Sequence, residues 1–365
     1  MQKRFDVALS ITAGILIFTI GAGIWLLPFS DFSEEENRAL ATISLPRFSD
    51  VADGSFSNKL GDFFRDQLPL RLEFVRLRTY SELLLLKGES NGVLFCRDGY
   101  LLDRGEYEDL EKAQKNITEN AALVEYLERM EIPTAVAYVP RGIDVMGSKL
   151  PTLYQGNEKE VLELLPAGDA YTDILSPLKS AAYNGEYVWF KTDHHWTSHG
   201  AYIAYRSLSS ALGYTPYEKE FFSLQEASED FRGSIYSRAG CVTCSSDTLE
   251  LYRYEGDDLY RVTVDGEERA KGLYFFDKLE SKDKYAVFLG GNYAHLTVES
   301  TTDTARPRLI IIKDSYANSL VPFLALHFDI ELIDPRYYSS SAEYTQILKK
   351  ADRVLILQGI DTIAK

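Results

Sequence analysis

Basic residues are in short supply: 39 Lys and Arg stand against 55 Asp and Glu, leaving a net charge of −16 over 365 residues. Nonspecific nucleic-acid binding relies on Lys and Arg neutralising phosphates, so this balance argues against it. Cysteine is scarcer still, with only Cys96, Cys241 and Cys244. The Cys241-Val242-Thr243-Cys244 pair has no second pair to complete a zinc set. It also lies in a Gly/Ser-rich loop rather than at the helix start that a thioredoxin-type redox pair needs. A small local disulfide is open to it. There is no repeat of 20–50 residues and no low-complexity tract. The N-terminus lacks a small-x-small cleavage pattern followed by a polar break, since Gly21-Ala22-Gly23 runs on into Ile24-Trp25-Leu26-Leu27.

What is present begins with Val7–Phe29, an uncharged stretch long enough to span a bilayer, preceded by Lys3 and Arg4. The expectation is an uncleaved single-pass anchor. Residues 1–6 would form a cytoplasmic tail and the rest of the chain would lie outside the cell. Residues 30–90 read as a juxtamembrane helical segment, with Leu60, Phe63, Phe64, Phe74, Leu77 and Leu84 at helical spacing. Pro69 divides it into two helices.

From residue 91 onward, short apolar runs alternate with helical patterns. Gly92–Leu102 predicts a hairpin turning at Asp98-Gly99. Strands are predicted at Thr134–Val139, Tyr171–Ile174, Tyr187–Phe190, Tyr285–Leu289, Arg308–Lys313, Ile330–Ile333 and Arg353–Leu357. Helices are expected near 107–130, 160–165, 198–212, 316–327 and 341–350. This alternation argues for a doubly wound parallel sheet. Residues 215–285 break the rhythm as a β-containing insertion. Tyr (24) and Phe (19) are abundant, and Tyr-rich faces can line carbohydrate grooves.

Three of the five histidines fall in Lys191-Thr192-Asp193-His194-His195-Trp196-Thr197-Ser198-His199. After a strand at 187–190, this cluster would sit at the C-terminal sheet edge, where α/β proteins bind ligands. Leu309–Lys313 reads as a buried strand running straight into a helix, so Ser315 falls on a strand-to-helix turn. There its hydroxyl can project above the sheet, and nearby backbone N–H groups can hold an oxyanion. A plain N-cap role for Asp314 or Ser315 is the competing reading. A serine nucleophile needs a base, and the base needs an orienting acid. Residues i and i+2 of an extended segment share a face, so Asp193 can hold His195, and His195 can take the proton of Ser315. A metal site built from Asp193, His195 and His199 is the rival, although no Glu follows the first His as it does in zinc-protease helices. Asn292, after Gly290-Gly291, is a candidate oxyanion donor, as is the backbone at Tyr316. Arg336 and Arg141, both after strands, are candidates for gripping substrate oxygen. Trp196 is either a sugar-stacking platform or core.

Asp193-His194-His195-Trp196 resembles the signature of the DHHW proteins of Gram-positive bacteria. It is also similar to the Asp-x-His element of alginate O-acetyltransferases that carry an SGNH-hydrolase-like domain. The resemblance extends through Glu34–Leu40, Asp66-Gln67-Leu68-Pro69-Leu70-Arg71, Phe231-Arg232-Gly233-Ser234, Leu289-Gly290-Gly291-Asn292, Lys313–Ser319 and Asp334-Pro335-Arg336-Tyr337-Tyr338. It implies an SGNH-like (flavodoxin-like) α/β domain over 91–365 with a Ser315–His195–Asp193 triad, no cofactor and no metal. The expected activity is transfer of acetyl groups to a cell-surface or secreted polysaccharide, with a membrane-bound O-acyltransferase as acetyl donor. A carbohydrate esterase with the same triad and a non-catalytic polysaccharide-binding protein are the alternatives. The serine follows the Asp/His block, the permuted order of the acetyltransferase branch. Lys313 stands where hydrolases of the group usually have glycine.

Overall fold

The structure is a computed structural model that describes residues 2–26, 28–33, 35, 38–43, 47–105, 109–152, 154, 158–302, 304–338 and 341–364. The chain forms two compact units, residues 1–87 with 237–242, and residues 88–236 with 243–365.

The first unit is helical. Helices run over Gln2–Leu26, Phe48–Ala52, Ser55–Asp66 and Arg71–Leu84. The break at Pro69 is completed by Leu70, which adopts φ 58°. Asp66 and Gln67, just before it, fasten the preceding segment. Asp66 accepts from the Ala41 N–H at 2.8 Å, and the Gln67 amide donates to the Ser30 carbonyl at 2.7 Å. The expected transmembrane anchor is overturned: among the described residues no helix is long and apolar enough to cross a membrane. The Gln2–Leu26 helix carries Lys3, Arg4 and Asp6 near its start. Its last turn is closed by neighbours, with Ile24 buried and Gly23 against the Pro69 ring. The single-pass topology, cytoplasmic tail and extracellular placement drawn from that anchor fall with it. Of the 34–40 motif, residues 34, 36 and 37 lie outside the described residues.

The second unit is built on a seven-stranded sheet: β1 Thr134–Val139, β2 Tyr260–Val264, β3 Glu267–Lys271, β4 His295–Ser300, β5 Arg308–Lys313, β6 Asp329–Ile333 and β7 Arg353–Gly359. The spatial order is β3-β2-β4-β6-β5-β7-β1. Strands β6, β5, β7 and β1 are mutually parallel, whereas β4 joins β6 antiparallel and β2 and β3 extend it antiparallel. The sheet is therefore mixed, not the wholly parallel sheet expected, because β4 and, beyond it, the insertion strands β2 and β3 add antiparallel strands to its edge. Along β5, Leu309 and Ile311 enter one core and Ile310 and Ile312 the other, so both faces are covered.

Three expected strands are absent among the described residues. Tyr171 makes one isolated bridge to Val136, and the next residues begin a helix, Leu175–Tyr183, that the sequence reading missed. Tyr187–Phe190 pairs back on its own continuation instead of on the sheet. The Phe190 N–H donates to the His195 carbonyl at 3.2 Å and the Thr197 N–H to the Val188 carbonyl at 3.0 Å. Residues 284–287 form a 3₁₀ turn. By contrast, the helix Ser198–Leu212 has the expected ends, with Thr197 as N-cap and Gly213 as C-cap. The remaining insertion strands, Ser223–Phe231 and Asp247–Arg253, form a separate antiparallel pair.

Candidate active site

Ser315 sits on the turn between β5 and the helix Ala317–Leu324. Asp314 builds that turn. It accepts from the Tyr316 N–H at 3.0 Å and the Gly359 N–H at 2.6 Å, so one buried carboxylate fixes two backbone donors. The Ser315 hydroxyl lies 2.8 Å from Nε2 of His195. Nδ1 of the same ring lies 2.5 Å from Oδ1 of Asp193. The other Asp193 oxygen accepts from the Ser234 N–H at 2.8 Å. The three residues expected to act together are thus in one hydrogen-bonded line, and all three are buried.

The loop carrying Asp193 is held from outside by Asp247, on the insertion strand Asp247–Arg253. This carboxylate accepts from the Lys191 N–H and the Thr192 N–H, each at 2.8 Å, and from the hydroxyls of Thr192 and Tyr187. Leu101, on the strand Leu101–Asp103, adds an N–H bond to the Lys191 carbonyl at 2.7 Å. Tyr285 stacks face to face on His195, with centroids 3.9 Å apart and 7° between planes. Its hydroxyl bonds the Ser319 hydroxyl at 2.9 Å. The sequence reading found neither Asp247 nor Tyr285. Asp247 carries no local signal, and Tyr285 sits in an apolar run that reads as strand. Phe231-Arg232-Gly233-Ser234 is part of the resemblance, and the structure gives its Ser234 N–H to Asp193.

Burial alone would raise the Asp193 carboxyl. The adjacent His194 and His195 rings and the bonds from His195 and Ser234 outweigh it, so Asp193 is held far below the usual carboxylate range. Burial, together with His194, pushes the His195 imidazole down to about 4. At neutral pH the ring is therefore unprotonated and able to accept a proton through Nε2. The unfolded imidazole takes up its proton near 6.5, so between pH 6.5 and 4 the unfolded chain binds more protons and stability falls as pH drops. Over that window the wild type is expected to lose on the order of 3 kcal/mol more than His195→Gln in urea titrations. Equal losses in the two proteins would contradict a depressed His195.

The other candidates divide. Trp196 is fully buried and donates to the Ser319 hydroxyl at 2.9 Å, so it is core rather than a sugar platform. The Tyr316 N–H is spent on Asp314 and its hydroxyl on the His194 carbonyl at 2.8 Å, which corrects the expected oxyanion role of that N–H. Arg141 is clamped on Asp144 by two bonds of 2.8 Å, and Arg336 on Asp334 at 2.9 and 2.6 Å. Oδ1 of Asn292 accepts from Lys313 Nζ and Asn318 Nδ2, each at 3.2 Å. Lys313 is itself buried, which lowers its ammonium to about 8, and donates to Asn318 at 2.7 Å. This lysine ties the 290–292 loop to the serine turn.

His199 leaves the cluster, meeting Tyr252 at 2.8 Å and Glu186 at 2.6 Å, so the three-residue metal set with Asp193 and His195 does not form. Ligand atoms of Asp193, His194 and His195 do lie within 4.8 Å of one another, near enough to hold an ion. The same residues bond each other, Ser234 and Ser315.

Residues 170–333 match the family model described as DHHW protein. That bears out the expected DHHW resemblance. The DHHW segment, the insertion and the serine turn all fall inside the match. The probable alginate O-acetylase AlgJ of Pseudomonas fluorescens is 24% identical over 234 residues, 60% of this chain and 57% of that protein. Its namesake from Pseudomonas syringae pv. tomato is 26% identical over 218 residues, 56% of this chain and 51% of that protein. The chain spans little more than half the length of these curated relatives. Among solved structures, a DHHW family protein from Eubacterium siraeum aligns over 76% of this chain and 93% of its own, with 21% identity and a TM-score of 0.59. Bacillus cereus PatB1 aligns over 75% and 97%, with 20% identity and a TM-score of 0.62. These two likenesses establish the shared fold.

Proposed function

We propose that this DHHW protein is an O-acetyltransferase that moves an acetyl group to a hydroxyl of a polysaccharide by way of Ser315. The observation that carries the reading is the buried Asp193–His195–Ser315 line with an unprotonated imidazole at its centre. The names of the AlgJ relatives supply the acetyl group and the polysaccharide as the class to test.

In the first half-reaction, the Ser315 hydroxyl attacks the acetyl carbonyl while His195 Nε2 takes its proton. The C–O bond to the donor breaks and His195 returns the proton to the leaving oxygen. In the second, a sugar hydroxyl attacks the acetyl-serine ester, gives its proton to His195, and the Ser315 alkoxide recovers it. Asp193 orients the ring and stabilises the imidazolium without taking a proton itself. We assign the oxyanion to the Ser315 backbone N–H and the Asn292 amide. Loss of one such donor typically costs about 10²–10³ in rate. The donor would be an acetylated membrane-bound O-acyltransferase partner.

Incubation with p-nitrophenyl acetate is expected to give a burst of one equivalent of nitrophenol. Acetate release should then fall as a neutral oligosaccharide is added, with acetylated sugar appearing in its place. A burst followed by acetate release that no oligosaccharide diverts would make the protein an esterase. Saturable glycan binding with no burst would make it a non-catalytic binding protein.

A further inference from the structure

Two buried polar atoms near the triad have no hydrogen-bond partner among the described residues: Nε1 of Trp189 and Oδ1 of Asp361. They are of opposite kinds, since an indole N–H only donates and a carboxylate only accepts. Leaving either unpaired is unfavourable, because a buried polar group without a partner has lost its water and gained nothing in return. Both line one small cleft, together with Arg141, Gly142, His194 and Tyr316. The cleft is next to the base. The His194 ring centroid lies 3.8 Å from that of His195 and the Tyr316 centroid lies 5.0 Å from it. Trp189 is wholly buried, and the chain gives it no partner at the one point where a side chain would cover it. A Cβ at Gly142 would lie 2.7 Å from Nε1. Arg141 is bound to Asp144, so the cleft presents a guanidinium already neutralised by its own acid.

From this we infer that the cleft is an acceptor subsite, in which a neutral hydroxyl of the acceptor accepts from Trp189 Nε1–H and donates to Asp361 Oδ1. A hydroxyl both accepts and donates, which is what these two orphan atoms require of a shared partner. A carboxylate would be repelled by Asp361, and an ammonium could not accept from the indole. The free space, about 20 Å³, is enough for one small polar group and too little for a sugar ring. The subsite would therefore hold a substituent while the ring stays outside. This rests on the acetyltransfer reading and adds its acceptor chemistry: a polyol or sugar presenting an uncharged hydroxyl beside the one being acetylated.

The test follows the Trp189 indole N–H signal by NMR in the full chain, assigned by its loss in Trp189→Phe, as glycerol and separately sodium acetate are added. Glycerol should shift the signal saturably and acetate should not. Asp361→Ala, which removes the acceptor, should weaken the glycerol response about tenfold, the worth of roughly one hydrogen bond. No shift with glycerol, or equal shifts with glycerol and acetate, overturns the subsite, as does an Asp361→Ala response equal to wild type. Gly142→Ala keeps the question open to decision should Trp189→Phe fail to fold, because its methyl should abolish the glycerol shift. The nitrophenol burst separates the two proposals. A glycerol shift in a protein with no burst keeps the subsite and removes the acetyltransfer reading. A burst with no shift removes the subsite alone.

Discussion

Replacing Ser315 with alanine is expected to remove the acetyl adduct from the protein, seen by intact mass after p-nitrophenyl acetate, and to lower transfer by at least about 10⁴. The hydroxyl is the only atom lost, and it sits 2.8 Å from the His195 nitrogen that would take its proton. The turn that carries it does not depend on it. Asp314 fastens that turn through the Tyr316 and Gly359 N–H groups, so the variant should fold with an unchanged far-UV spectrum. What survives is the residual assistance of the oxyanion donors and binding. An adduct of equal yield in Ser315→Ala would place the nucleophile elsewhere and dissolve the proposed mechanism.

The second large effect comes from a residue that touches no substrate. A Cβ on Gly233 would lie 2.1 Å from Oδ2 and 2.2 Å from Cβ of Asp193. The carboxylate cannot swing aside, because one oxygen bonds the Ser234 N–H and the other the His195 ring. Gly233→Ala must therefore displace the acid and tilt the imidazole it holds. Acetyl-enzyme formation is expected to fall at least about 10²-fold, the usual penalty for an ångström-scale misplacement. Overpacking of this kind also costs about 1–3 kcal/mol, so the melting temperature should drop by a few degrees. A Gly233→Ala protein with wild-type burst kinetics would show that the Asp193 geometry is unimportant. Ser234→Ala, which keeps the backbone N–H, serves as the tolerant neighbour for comparison.

Whatever was legible in the sequence was written locally. The apolar run 308–312 followed at once by Asp314-Ser315 specifies a buried strand and a turn, and both are found. Thr197 and Gly213 mark the two ends of one helix, and Pro69 marks the gap between two others. The i, i+2 spacing of Asp193 and His195 also carried through to contact, though for another reason. The segment is not a sheet strand but a bend closed by its own backbone bonds. Long-range features stayed hidden. Asp247 reaches Thr192, just before the DHHW segment, across 54 intervening residues, and no periodicity records such a reach. Trp196 and Trp189 look alike in composition, yet one indole is paired with Ser319 and the other is not. The hydrophobic opening stretch misled because length without charge resembles a span, whatever the run later packs against.

The clamp by Asp247 bears on when Asp193, His195 and Ser315 come together during folding. The histidine segment is separated along the chain from the serine turn and from strands β5, β6 and β7 by the insertion, whose strand supplies the carboxylate that sets the histidine loop. A chain that has formed its sheet but not yet docked the Asp247–Arg253 strand would hold Ser315 on its turn while Asp193 and His195 still moved freely. The reactive pair itself closes across 120 residues, from His195 to Ser315, the kind of contact that loop-closure entropy makes late. Under the proposed mechanism, incompletely folded chains would carry the serine without its base and could not acylate themselves or their neighbours during assembly.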